Sequence, residues 1–321
     1  MAVPANTYVT RQGVGVREDL ADMIYDISPT DTPFLSAARR GAAKATAHEW
    51  QTDALAEADA DNAHAEGDDS RAQAAAPTAR LKNHTQIFKK AVQVSGSFQA
   101  VNAAGRRDEL SYQLAKRSRE LKRDIEARMT GNHASSAAAT RKSAGVEAWL
   151  ATNTDRGRGG ADGGYTAAGT VSVAADAAGA DRRDFTEAQL KAVVQSCWMA
   201  GGDPGVIMVG AFNKQKASGF AGIATLYRDT AGSRKPATIM GAADIYVSDF
   251  GEHRIVANRF SRDRTALVLD MAYWELAYLR PFRQEKLAKT GDSEKRHIVA
   301  ELTLCAKNEA ASGCVADLTT A

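Results

Sequence analysis

The chain has 321 residues, with 41 Lys plus Arg against 39 Asp plus Glu and a formal net charge of +2. That length buries a real core and holds one large domain or two of ordinary size. The near-neutral balance excludes a global electrostatic footprint for nucleic acid, and no apolar run approaches the length of about 18 residues that a membrane span needs.

Residues 1 to 47 read as an arm with short helical pieces. Asp19-Leu20-Ala21-Asp22-Met23-Ile24 has the pattern of one or two turns, and Ser28-Pro29-Thr30-Asp31-Thr32-Pro33 is turn chemistry. Pro33 suits a first helical turn before Phe34, Leu35 and Ala38, with Gly41 as its stop. Met1 to Gly15 lacks the apolar core of a signal peptide, so a chain neither secreted by the usual route nor membrane-spanning is expected.

Between Trp50 and Lys90 lies a stretch that no ordinary globular core needs. A short strand, His48 to Thr52, leads into an alanine-rich acidic run, and a strand from Thr85 to Val94 leads out, the two expected to flank one ribbon. The run holds Asp53, Glu57, Asp59, Asp61, Glu66, Asp68 and Asp69, with no Lys or Arg before Arg71. Ordering its backbone costs about 1–2 kcal/mol per residue, which a two-stranded ribbon of this composition does not offset alone. The insertion therefore implies a protein completed by its neighbours.

From Arg107 to Met129, Leu110, Leu114, Leu121, Ile125 and Met129 recur at spacings of four and seven, a narrow apolar stripe along a helix. At about 1.5 Å per residue this is a rod of roughly 35 Å. The other faces carry Lys116, Arg117, Arg119, Glu120, Lys122, Arg123, Asp124, Glu126 and Arg128, and the like-charged Glu120–Asp124 pair needs neighbours to offset it. Gly131 and Asn132 end the helix.

Residues 131 to 180 are mostly connection, with Ala144 to Leu150 as a short apolar anchor. Thr186 caps a helix through Trp198. A turn at Gly201 to Gly205, a strand at Val206 to Val209, a short helix at Ala211 to Ser218, and strands at Ala243 to Val247, Glu252 to Ala257 and Ala266 to Asp270 make a compact α/β unit. Arg283 to Ala288 and His297 to Lys307 form a closing hairpin across Thr290 to Ser293.

No catalytic constellation emerges. The Gly201 to Gly205 turn lacks a following Gly-Lys-Ser/Thr, and the six histidines form no His-Glu-x-x-His pair. Asp68 and Asp69 read as a solvated face before a divalent-ion site. Cys197, Cys305 and Cys314, an odd number without metal-ligand spacing, read as reduced, buried thiols of a cytosolic setting. No cofactor and no metal are expected, and the protein reads as not an enzyme. Arg106, Arg107 and the other cations of the long helix would line one side for nucleic acid, but the interspersed acids make a solvated face the plainer reading.

Five stretches in order resemble one family. They are Asp31 to Ser36, His48 to Leu55, Gln86 to Gly96, Gly105 to Leu110 with Arg123 to Glu126, and Gly145 to Asn153. Together they resemble the tailed-phage major capsid proteins of the SU10 type, which are similar to the HK97 capsid fold. The resemblance implies an α+β chain with an N-terminal arm (1–47), an extended E-loop (48–96), a spine helix (105–130), a peripheral domain (97–153 and 276–321) and an axial domain (154–275). It implies a virion shell subunit, assembled in the bacterial cytoplasm as pentamers and hexamers of an icosahedral head around double-stranded DNA. Implied partners are a portal, a separate scaffolding protein, a maturation protease and a decoration protein, with no membrane. A non-viral encapsulating shell of the same fold and a nucleic-acid-binding module stay open as alternatives.

On this reading the E-loop lies over an adjacent subunit. Trp50, Ile87 and Phe88 are the expected apolar anchors, Asp59, Asp61, Glu66, Asp68 and Asp69 the acidic half of a complementary contact, and Arg106 and Arg107 basic contacts.

Overall fold

The computed structural model describes residues 31–56, 58–69, 77–101, 108–220, 245–289 and 291–320. Thr32 precedes Pro33 at the first turn of α1 (Pro33–Ala37), which buries Phe34 and Leu35. Gly41 does not stop this helix. Ala38 is already extended, and Gly41 sits inside β1 (Arg39–Ala42), parallel to a later strand, where a Cβ would overlap the Glu275 carboxylate.

The insertion has a different partner from the one expected. β2 (Ala47–Thr52) pairs antiparallel with β3 (Ala79–His84), from Ala47 opposite His84 to Thr52 opposite Ala79. The strand that follows, β4 (Gln86–Ser95), leaves the ribbon at Thr85 and joins the main sheet. The alternation of Phe88, Val92 and Val94 explains this: all three are buried, so β4 needs a covered face that a projecting ribbon lacks.

Ser95 caps α2 (Gly96–Ala100), and Asp108 caps the long α3 (Glu109–Thr130), its carboxylate accepting from the Leu110 N–H. All five stripe residues, Leu110, Leu114, Leu121, Ile125 and Met129, are buried. The like-charged Glu120 and Asp124 are offset as expected, by Arg117 at 2.6 Å and Lys90 at 2.8 Å. Glu126, assigned from sequence to a charged outer face, is fully buried. The supposed cationic face is also broken: Arg128 turns inward onto the carbonyls of Ser143 and Ala134, and Arg123 lies over the Phe260 ring.

Beyond α4 (Val146–Trp149), short strands β5 (Asn153–Asp155), β6 (Gly164–Tyr165) and β7 (Val171–Ser172) lead to α5 (Glu187–Met199). α5 opens on a capping box between Thr186 and Gln189. Then follow β8 (Val206–Val209), α6 (Ala211–Ala217), β9 (Ile245–Ser248), β10 (Gly251–Ala257), β11 (Ala266–Leu269), β12 (Trp274–Lys286), β13 (Ser293–Ala306) and β14 (Gly313–Val315).

Two sheets organise these elements. The first has the order β1-β12-β13-β4, with α3 against β4 and β13. Pro281, which has no N–H to give, falls where the β12–β13 register shifts. The second has the order β5-β14-β11-β8-β10-β9. Its β14, from residues 313–315, pairs with β11, so this segment joins the second sheet and not that of β12 and β13. One apolar cluster spans the first sheet, α1, α3, α4 and one face of the second sheet (Met208, Leu267, Leu269, Cys314), and another lies between α5, α6 and that sheet's other face.

Candidate assembly surfaces

The foot of the β2–β3 ribbon is locked into the body of the chain. Asn83, next to last in β3, is completely buried. Its amide donates to the Leu304 carbonyl at 2.7 Å and to Ser143 Oγ at 3.2 Å, while its Oδ1 accepts from the N–H groups of Ala144 at 3.0 Å and His84 at 2.9 Å. Two residues on, Thr85 Oγ1 donates to Glu301, which also receives Arg141 and Arg280, each at 2.8 Å. Burial alone pushes the Glu301 carboxyl up, but these three donors hold it below its ordinary range.

Trp50 sits at this foot and already has partners within its own chain. It is half-buried; its Nε1 donates to the Ala306 carbonyl at 2.8 Å, and its ring lies 5.5 Å from that of Trp149, which stacks on Tyr165. Phe88, on the inward face of β4, is 6% exposed and belongs to the main core, whereas Ile87, on the outward face, is 49% exposed.

The tip is different in kind. Every described residue from Asp53 to Asp69 is exposed, including Asp59, Asp61, Glu66, Asp68 and Asp69, and Leu55 is 98% exposed. The contacts found there are local: the Asp61 N–H donates to Asp59 Oδ1 at 2.9 Å, and His64 lies 3.5 Å from Asp68. Among the described residues, no group of three or more His, Cys, Asp or Glu side chains is placed to hold a metal ion. Arg106 and Arg107 lie outside the described residues.

Large apolar side chains are also exposed on and near the second sheet. Among the described residues β9 is an edge strand, and its Ile245 and Val247 share one exposed face, opposite buried Tyr246, whose hydroxyl donates to Glu187 of α5 at 3.1 Å. Trp198 and Met199, at the end of α5, are 56% and 74% exposed, and Trp198 leans on Phe250 at 5.2 Å.

Two buried carboxylates, neither singled out in the sequence, hold these parts in register. Glu126 of α3 accepts the N–H groups of Phe34 and Leu35 at 2.8 Å each and the Asn258 amide at 2.7 Å, joining α1, α3 and the end of β10. Burial raises its carboxyl above the ordinary range, partly countered by those three donors. Glu147 of α4 meets Arg262 at 2.8 Å and Thr265 Oγ1 at 3.0 Å, and Arg262 continues to Asp176. The sequence signal for Glu126 is its place beside Ile125, close to the stripe; helical spacing alone does not say how far round the covered sector extends. The cysteines are free and buried as expected, and burial pushes the thiols of Cys197, Cys305 and Cys314 up to about 12.

A family model described as SU10 major capsid protein matches residues 3–319. The chain is 30% identical to the major capsid protein of Escherichia phage Phieco32 over 341 aligned residues, covering 95% of each protein. Among solved structures, the capsid of a native GTA particle superposes with a TM-score of 0.63 at 14% identity, covering 98% of this chain and 100% of the other. The capsid of cyanophage A-1(L) gives the same score and identity, covering 98% and 99%.

Proposed function

The chain belongs to the SU10 major capsid protein family, and from that premise we propose how one subunit grips the next. It is a phage head protein with an HK97-type α+β fold, structural in role and present in the virion capsid in many copies. The assembly we infer is an icosahedral shell of pentamers and hexamers around double-stranded DNA, built in the host cytoplasm. A portal, a separate scaffolding protein, a maturation protease and a decoration protein are the proposed partners.

The observation that carries the reading is the contrast within the E-loop. Its foot is fastened by buried hydrogen bonds, while its tip is acidic and exposed over residues that have no core of their own. A rigid foot aims the tip, and a neighbour supplies the missing surface. The carboxylates Asp59, Asp61, Glu66, Asp68 and Asp69 steer the tip to basic groups there, and Leu55 and Ile87 are the apolar contacts. Ile245 and Val247 on the edge strand β9 face neighbours around the axes, so each subunit is held at both ends and closed rings form.

Replacing residues 54–77 by a short turn tests this. The foot strands and Asn83 remain, so the variant subunit should fold with an unchanged far-ultraviolet spectrum yet fail to form shells in electron micrographs. Closed particles of normal size from that variant would contradict the proposal.

A further inference from the structure

The spine helix packs on β4 and β13, and a furrow opens where it stops short of β12. One section, about 540 Å³, lies between α1, α3 and β12; the next, about 470 Å³, continues along α3 and shares Ser118 and Phe282 with the first. Its walls are apolar where Leu35, Tyr278 and Phe282 meet, and Phe282 is 37% exposed. Its rim is cationic. Arg40, Lys122 and Arg283 are exposed and carry no ion pair among the described residues, whereas Glu120 and Asp124 of α3 are engaged by Arg117 and Lys90.

The tip of the β2–β3 ribbon is the chemical complement of this furrow. Leu55, 98% exposed, is the one large apolar side chain between Trp50 and Leu81. Asp53, Asp59 and Asp61 lie near it in sequence, all exposed, in a stretch with no Lys or Arg before Arg71. Asp53 stands two residues from Leu55, and Lys122 stands one helical turn from Ser118 in the middle of the furrow, so each surface sets charge beside apolar area at short range. Among the described residues, no hydrogen bond or ion pair joins the tip to the furrow of its own chain; the contacts of the tip are local.

We infer that the furrow receives the ribbon tip of a second copy, with Leu55 seated among Leu35, Tyr278 and Phe282 and the carboxylates toward Arg40, Lys122 and Arg283. The inference rests on the reading of the tip as a strap to a neighbour, and it names where the strap lands. Seating Leu55 takes out of water a side chain that its own chain leaves uncovered. The opposed charges hasten encounter and fix the register. Duplex DNA matches the rim but leaves both the apolar walls and Leu55 exposed.

The test uses particles assembled from two full-length variants in equal amounts, Leu55→Cys and a mass-tagged Ser118→Cys, because the three native cysteines are buried. A disulfide needs Cα atoms within about 7 Å. Mild oxidation should therefore give at least tenfold more mixed dimer than the pairing of Leu55→Cys with Lys89→Cys, an exposed position on the other face of β4. Asp59→Cys takes the place of Leu55→Cys if the latter prevents assembly. Adding Lys122→Glu and Arg283→Glu should lower the mixed dimer at least tenfold without changing the far-ultraviolet spectrum, and an unchanged yield overturns the proposal. Preferred joining at position 89, or no mixed dimer in intact shells, overturns the furrow as landing place; the strap reading is then judged by the tip deletion, which reads shell formation alone. A dilute, unassembled chain carrying both Leu55→Cys and Ser118→Cys that closes its own disulfide overturns docking between copies. Shielding of the Ser118→Cys thiol that arises only with added duplex DNA assigns the furrow to nucleic acid and overturns it too.

Discussion

Glu126 is where α1, α3 and the end of β10 meet, and its removal has a calculable cost. Glu126→Ala leaves three buried donors without their acceptor: the N–H groups of Phe34 and Leu35 and the Asn258 amide. Each such loss costs about 1–3 kcal/mol, and water entering the space reduces the total, so about 3–5 kcal/mol is expected. That is a large part of the 5–15 kcal/mol typical of a folded domain, taken as an order of magnitude of about 10. Glu126→Gln is gentler. An oxygen in place of Oε1 still accepts from Phe34 and Asn258, but an amide in place of Oε2 sets donor against donor at Leu35, costing about 1–3 kcal/mol.

The pH dependence adds a sign. Burial raises the Glu126 carboxyl above its reference value of 4.5, so the folded state holds this proton more tightly than the unfolded state. Its contribution is complete below 4.5 and declines as pH rises through the raised value. Gln does not titrate, so the lead of the natural subunit over Glu126→Gln should be widest in acid and narrow toward neutrality. Denaturant unfolding followed by the fluorescence of buried Trp149 and Trp274, from about pH 4 to about pH 8, measures it. An unshifted midpoint for Glu126→Ala, or a lead that widens as pH rises, would refute the reasoning.

Glu301 should show the opposite trend. Its carboxyl is held below the ordinary range, so its contribution is present above 4.5 and lost as pH falls through the depressed value. The roughly 1–2 kcal/mol cost of Glu301→Gln, discounted for the partial exposure of Arg141 and Arg280, should therefore shrink in acid unfolding curves. Trp50→Ala should cost about 2–3 kcal/mol in the unassembled subunit, because its contacts lie within the chain; a variant equally stable but unable to assemble would return Trp50 to the interface. Gly145→Ala should cost about 1–3 kcal/mol or more in thermal unfolding, since its Cβ would run into the backbone carbonyls of Gly131 and Arg128, which cannot swing aside as a side chain does.

The sequence by itself determined the elements whose signals are local. The spine stripe from Leu110 to Met129, the Thr186 cap, the strand at Val206 to Val209 and the uncovered acidic tip all follow from spacing and composition, and the tip already implied a neighbour. Only the tertiary structure decided which strands pair. β4 left the ribbon because Phe88, Val92 and Val94 require a covered face, and β14 joined the second sheet through contacts with residues far away in the chain. The same holds for Trp50, Asn83, Glu126 and Glu301. A polar or aromatic side chain reads alike on a surface and in a core until its partners arrive. Those partners lie as far off as Phe34 from Glu126, and Ala306 from Trp50. Spacing along a chain reports which way a side chain faces; what it meets there is a property of the folded whole.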